Sequence, residues 1–183
     1  MKQDGSLQKF YQYAFPMPTV LVTCIDKDNK PNAITIAWHT PLSKKPPLHA
    51  VSMAPQRHSY SLIQESKEFT INFLHYSQAR DAHFCGTHSG RKIDKHTNTN
   101  LTYIPAKKIA APLIKEAYAH LECTLNNCMV VGDHVLLVGE VQNVTCDADA
   151  FSDDLLNTAV ITPLYYLGNN KYVTLDRQKQ IMF

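Results

Sequence analysis

At 183 residues, 44% hydrophobic and with a formal net charge of +2, the chain is long enough to bury one sizeable core, and a single domain over residues 1–183 is expected. Eighteen Lys+Arg against sixteen Asp+Glu leave no concentrated basic face, which speaks against a nucleic-acid partner. No run approaches the ~20 apolar residues of a membrane span and the N-terminus has no secretory core, so the expected setting is cytoplasmic, with no membrane partner.

In chain order, "TVLVTCI" (19–25) and "AITIAW" (33–38) are β-branched and flank the turn residues "DKDNKPN", which predicts a hairpin. The hydroxyl-and-lysine stretch before Pro46-Pro47 reads as a loop, and "LHAVSM" (48–53) as the next strand. "SYSLIQES" predicts a short helix starting between Ser59 and Ser61, with Ser61 and Gln64 spaced as a capping box. "FTINFL" alternates, Phe69, Ile71 and Phe73 against Thr70 and Asn72, as a half-buried strand does. "SQARDAHFCG" predicts a helix ending at Gly86, and "THSGRKIDKHTNTN" a loop.

In the second half, "YAHLECTL", "CMVVGDHVLLVGEVQNVTC" and "YYLGNNKYVTL" read as strands joined at Asn-Asn and Gly-Asp turn signals. Asp153-Asp154 reads as a helix start. Many strands with hairpin-length turns and few helices predict a closed or nearly closed antiparallel barrel decorated by short helices. The five cysteines lack regular short spacing, so reduced thiols are expected; Cys123 and Cys128 would straddle a turn as buried apolar residues.

Four constellations carry candidate chemistry. The strand 33–38 puts Ile34, Ile36 and Trp38 on one face and Ala33, Thr35, Ala37 and His39 on the other. A face so shallow admits a flat aromatic ligand against the backbone; it is equally the pattern of a closely packed sheet. Arg57, His58, Ser59 and Ser61 gather where a helix begins, as a phosphate site or as an ordinary N-cap beside a solvated arginine. His83, Cys85 and His88 have a spacing that evokes zinc, but the four ligands of a structural zinc site are missing, so no metal is expected. In the same loop Ser89, Arg91 and Lys95 could offer donors to an anion or simply face water, and His134 opens a strand directly after a turn. There is no Walker loop, Gly-x-Gly-x-x-Gly fingerprint or Ser-His-Asp order, so any chemistry would need a bound cofactor.

The ordered set "FPMPTVLVTCIDKDNKPNAITIAW", "SKKPPLHAVSMAPQRHSYSLIQESKEFTINF", "FCGTHSGRKIDK", "APLIKEAYAHLEC" and "VGDHVLLVGEV" resembles the flavin reductase-like proteins with the FMN-binding split barrel, flavoredoxin branch. That resemblance implies a mainly β fold, a six-stranded antiparallel split barrel with peripheral helices, paired as a homodimer. It also implies noncovalent FMN, with NADH or NADPH as reductant and a flavin, ferric iron or partner protein as electron acceptor. An FMN-binding electron carrier or flavin-storage protein without its own NAD(P)H activity is the alternative. By position, Asn32, Thr35, Ile36, Ala37 and Trp38 would contact the isoalloxazine. Ser52, Arg57, His58 and Ser59 would meet the ribityl and phosphate, Ser89 and Lys95 would lie near the cofactor, and His134 would contact the nicotinamide.

Overall fold

The β-branched runs form strands largely where alternation and turn residues predict them, in a computed structural model that describes residues 1–176. The strands are β1 (Val20–Ile25), β2 (Pro31–Ile36), β3 (His39–Lys44), β4 (Pro47–Met53), β5 (Glu68–Phe73), β6 (Ala119–Val131), β7 (His134–Cys146), β8 (Tyr165–Gly168) and β9 (Lys171–Val173). Helices α1 (His58–Ser66) and α2 (Ala79–Thr87) lie between them. One antiparallel seven-stranded sheet runs in the order β2-β1-β5-β6-β7-β4-β3. Its edge strands β2 and β3 follow one another through Ala37-Trp38, where the Ser52 N–H donating to the Trp38 carbonyl at 2.8 Å continues the β3–β4 ladder, so the sheet curls back on itself as the expected split barrel.

Inside the barrel, Val20, Val22, Ile34, Ile36, Phe69, Ile71, Val135 and Leu137 form one apolar cluster, closed at one end by Leu62 and Ile63 of α1. Gly139 has a packing reason: a Cβ there would lie 2.8 Å from the Cys123 Cβ and collide with the Phe69 ring. Leu21, Ala33, Leu74, Ala82 and Cys85 form a second cluster between the outer sheet face and α2.

The structure departs from the sequence reading at several points. The stretch 39–44, read as a loop, is strand β3, paired with β4. Strand β6 continues through Asn126-Asn127 with a bulge that leaves Asn126 unpaired, and its partner β7 pairs with it up to the Gly132-Asp133 turn. Cys123 and Cys128 therefore share a strand, and Cys128 is exposed rather than buried. Asp153 and Asp154 sit at positive φ in a tight turn between two short strands, not at a helix start. The capping box is absent: α1 starts at His58 after Arg57, with no side-chain cap.

Strand β5 is buried on both faces. Thr70 and Asn72 were expected to face water, but the loop 112–114 covers them. Asn72 donates to the Leu21 carbonyl at 2.9 Å and accepts from the Ile114 N–H at 2.8 Å, while Thr70 donates to the Pro112 carbonyl at 2.9 Å. Buried polar groups are tolerated when paired in this way. Among the described residues, no helix is long and apolar enough to cross a membrane.

Candidate functional site

Strand β2 is an edge of the large sheet, so one side of its backbone has no strand partner. Ala33 shows which groups face that side: its carbonyl accepts from the Lys95 Nζ at 2.6 Å, whereas the Asn32 carbonyl is turned toward Cys24 of β1. In an antiparallel pair consecutive residues alternate between facing and leaving the partner, so the N–H and C=O of Thr35 also point outward. The small residues on one face of β2 have a second use. Helix α2 packs on them: a Cβ at Gly86 would lie 3.2 Å from the Thr35 Cβ, and the Thr35 hydroxyl donates to the Ala82 carbonyl. The shallow face is thus mostly a helix seat, and what remains open to a ligand is the strand's edge.

That edge borders a cavity of about 330 Å³, reached by Ile34, Thr35, Ile36, Ala37, Trp38 and Ser52. Aromatic rings build the opposite wall. Trp38 lies between Tyr11 and His134, with ring centroids at 5.7 and 5.1 Å, and Phe15 meets Tyr166 edge-on at 5.3 Å. His134 is oriented by Asp133, Nδ1 to Oδ1 at 2.8 Å. That contact holds the exposed Asp133 carboxyl below its usual range.

A second cavity of about 290 Å³ shares Ile34, Ala54, Arg57 and Gly86 with the first, so the two adjoin. Its chemistry is different. The first turn of α1 opens on it through His58 and Ser59, and uncapped N–H groups there carry partial positive charge. The Arg57 side chain is exposed and makes no hydrogen bond or ion pair among the described residues. Lys95 is 5% exposed, and its Nζ donates to the carbonyls of Ala33 and Cys85, at 2.6 and 2.8 Å. Burial lowers its pKa, with Cys85 and Cys24 opposing that shift. Among the described residues no carboxylate lines this cavity; the nearby Asp94 pairs with Lys30 at 3.2 Å.

Smaller features complete this end. Asn32 donates to the Ser59 hydroxyl at 2.7 Å, which ties β2 to α1. A Cβ at Gly90 would strike the Asn32 Oδ1, so glycine lets the loop pass close by. The Nδ1 of His58 is buried with no hydrogen-bond partner. Burial, then Arg91 and Lys95, lower the His58 pKa, so the ring stays neutral and is left with an unmatched polar atom. An orphaned donor or acceptor, a free guanidinium and uncapped helix N–H groups surrounding a cavity without acid groups fit an oxygen-rich anion.

Of the residues singled out as cofactor contacts, all but Asn32 line the two adjoining cavities, and Asn32 stands behind the wall and positions Ser59; Ser61 and Arg91 line neither, the Arg91 guanidinium donating instead to the Gln56 carbonyl and the Ser61 hydroxyl. Three of them act differently from a free ligand contact: Thr35 spends its hydroxyl on α2, Ser59 is buried and bonded to Asn32, and Lys95 is sunk beneath the loop rather than displayed on it. The reading missed Tyr11, Phe15, Tyr166 and Tyr172, which line the first cavity from the two ends of the chain. The aromatic-rich "FYQYAFPMP" was the only signal. Among the described residues there is no group of three or more His, Cys, Asp or Glu that could hold a metal ion. His83 lines the first cavity, whereas Cys85 and His88 line the second, with His88 stacked on Phe84 at 4.0 Å.

Comparison with known proteins places this geometry in context. A family model described as a flavin reductase like domain matches residues 12–175. An uncharacterized protein of Archaeoglobus fulgidus is 38% identical over 142 residues, 78% of each chain. Among solved structures, the flavoredoxin of Desulfovibrio vulgaris (Miyazaki F) is 27% identical, with a TM-score of 0.87, covering 100% of this chain and 98% of that one. An FMN-binding protein from Thermus thermophilus is also 27% identical, with a TM-score of 0.86 and the same coverage.

Proposed function

The chain belongs to the flavin reductase-like domain family, and from that premise we propose that its joined cavities hold one FMN, the ring system along the β2 edge and the phosphate at the start of α1. The carrying observation is that an aromatic cavity adjoins a cationic one with no carboxylate among its described lining residues, the two sharing Ile34, Ala54, Arg57 and Gly86. Bound there, the flavin would accept a hydride from NADH or NADPH and pass electrons to a flavin, ferric iron or a partner protein.

The protein's own part is to bind and orient. The outward backbone of Thr35 offers a donor and an acceptor to the polar edge of a ring, and Trp38 closes one flank of the cavity. Arg57, the first turn of α1 and Ser89 would grip the phosphate, with Lys95 adding buried positive charge beneath it. His134, fixed by Asp133, stands at the mouth as the candidate nicotinamide contact. Positive charge near the cofactor favours an electron-rich ring.

The same reading takes the protein as a cytoplasmic homodimer. Met129, Val130 and Val131, exposed on the β6–β7 hairpin, offer apolar surface for a second copy. An alternative, an FMN electron carrier without its own NAD(P)H activity, draws on the crowding of the mouth by Tyr11, Trp38 and His134. Anaerobic mixing of the FMN-loaded protein with NADH and with NADPH decides between them. Rapid bleaching of the flavin absorbance by either is the expected result; a spectrum unchanged by both favours the carrier.

A further inference from the structure

His39 and His49, on the neighbouring strands β3 and β4, line neither cavity, yet they form a defined relay beside the ring end. Their rings stack at 5.3 Å and 23°, with Phe73 edge-on to them at 6.1 and 6.4 Å. The Nε2 of His39 lies 3.2 Å from the Pro18 carbonyl, and its Nδ1 lies 3.1 Å from the Nε2 of His49. A carbonyl only accepts, so the His39 proton sits on Nε2, and its bare Nδ1 accepts from the Nε2–H of His49. Each neutral ring is thereby held in one tautomer.

The relay reaches the wall of the first cavity at two points. His39 directly follows Trp38, and Pro18 ends the strand that leads out of residues 1–16. Residues 7–14 are a 3-10 helix with no buried residue, and Tyr11 of that helix meets the body at Trp38, with ring centroids 5.7 Å apart. A wall so lightly held depends on what fixes its base.

We propose that His39 and His49 are positioning residues for the ring end, a two-ring relay that holds Trp38 and Pro18 in place and gives way when a further proton enters it. A proton on His39 must take Nδ1, which sets two N–H donors against each other. A proton on His49 leaves that bond intact but buries a charge beside Phe73. Among the described residues nothing of opposite charge offsets it. The residues paired with the two histidines are Val51, Pro41 and Gly139, and the Tyr118 phenol behind Phe73 stays neutral, its pKa pushed up to about 12. Burial lowers His39 against the Pro18 carbonyl, and burial with the neighbouring His39 lowers His49. His39 is the less buried of the two, so relief comes by its turning to water, which frees the Pro18 carbonyl. With His49 moved from 6.5 to about 4, the opened form gains about 30-fold over the closed one between pH 7.5 and pH 5.

Trp38 is the single tryptophan and reports on the wall without any ligand. Acrylamide quenching of the ligand-free protein should rise at least about twofold from pH 7.5 to pH 5, with the far-UV circular dichroism unchanged. It should stay flat in His49→Gln, whose amide keeps a donor toward His39 and takes up no proton. His134→Gln, which removes the ring beside Trp38, should respond as the parent does. Nitrogen NMR of the parent at pH 7.5 should find both rings protonated on Nε2. A flat parent, an equal rise in His49→Gln, a rise lost in His134→Gln, or an Nδ1 proton on either neutral ring overturns the proposal. So does loss of the circular dichroism at pH 5, which makes the event global unfolding. The step from wall to ligand rests on the FMN reading, and riboflavin is the probe because it has no phosphate to titrate. Its affinity should fall at least about threefold over the same range in the parent and hold in His49→Gln. Quenching that responds while neither FMN nor riboflavin binds at pH 7.5 overturns the FMN reading and leaves the relay standing. Quenching that responds while riboflavin binds alike at both pH values overturns the relay's part in binding and leaves the FMN reading standing.

Discussion

The two ends of the site are assembled from different materials. The phosphate end is charge and helix geometry: Arg57, the uncapped start of α1, and Lys95 with two carbonyls and no carboxylate. The ring end is surface shape, a strand edge facing rings that come from residues 11–15, 38, 134 and 166–172. Their electrostatics differ accordingly: removing charge should cripple one end, whereas removing a ring should only loosen the other.

Substitutions can break that contrast. Lys95→Met should have the largest effect, because it strips the carbonyls of Ala33 and Cys85 of a buried charged donor. A loss of about 2–4 kcal/mol in urea unfolding is expected, together with weaker FMN binding. An unfolding curve unchanged from the parent would mean that the buried ammonium costs as much in desolvation as its bonds return.

A pH titration is next, and its main groups, His39 and His49, line neither cavity. His39 and His49 stack at 5.3 Å behind Trp38, Nδ1 to Nε2 at 3.1 Å. Burial, and then the neighbouring His39, push His49 from the ordinary 6.5 down to about 4. Burial also lowers His39, against the opposing bond to the Pro18 carbonyl. Between those values the unfolded chain binds a proton that the folded one refuses. The stabilisation is therefore present above pH 6.5 and lost as pH falls toward 4, by about 3 kcal/mol. Glu122 behaves separately. Burial raises its pKa, but bonds from Asn143 and the N–H groups of Lys107, Lys108 and Ile109 outweigh that and hold it below 4.5, so its share is lost only in more acid solution. Denaturation at pH 7 and pH 5 should show the histidine part alone, and a flat profile between them would contradict the buried pair.

Arg57→Ala should cost FMN about 1.5–3 kcal/mol of binding and leave riboflavin, which has no phosphate, nearly untouched. Equal losses would place Arg57 at the ring end instead. The smallest change belongs to Trp38→Phe, which keeps a ring in place. About 1 kcal/mol, shared alike by FMN and riboflavin, is expected by fluorescence or calorimetric titration. A loss confined to FMN would reverse the assignment of the two ends.

The same contrast explains what the sequence reveals. The phosphate end is legible because its residues are clustered, Arg57-His58-Ser59 in one stretch and Ser89 to Lys95 in another, with types whose chemistry is narrow. Even there, the burial of Lys95 depends on a loop folding over its own side chain, which no local pattern records. The ring end is barely legible. Tyr11 and Tyr172 come to line one cavity because the strand Met17–Pro18 pairs with β8, which in turn pairs with β9. In the fold, alternation found the barrel strands, yet the Asn126-Asn127 pair misled because pairing with β7 absorbs it as a bulge and the hairpin turns later, at Gly132-Asp133. Thr70 and Asn72 misled for a similar reason: periodicity shows which residues share a face, not whether a loop covers it.

The central claim is that one FMN spans both cavities with its phosphate at the start of α1. Calorimetric titration of the protein with FMN and with riboflavin, side by side, tests it most directly. The account predicts one FMN per chain and an advantage of FMN over riboflavin of at least about tenfold. Equal affinities, or no binding of either, would contradict it.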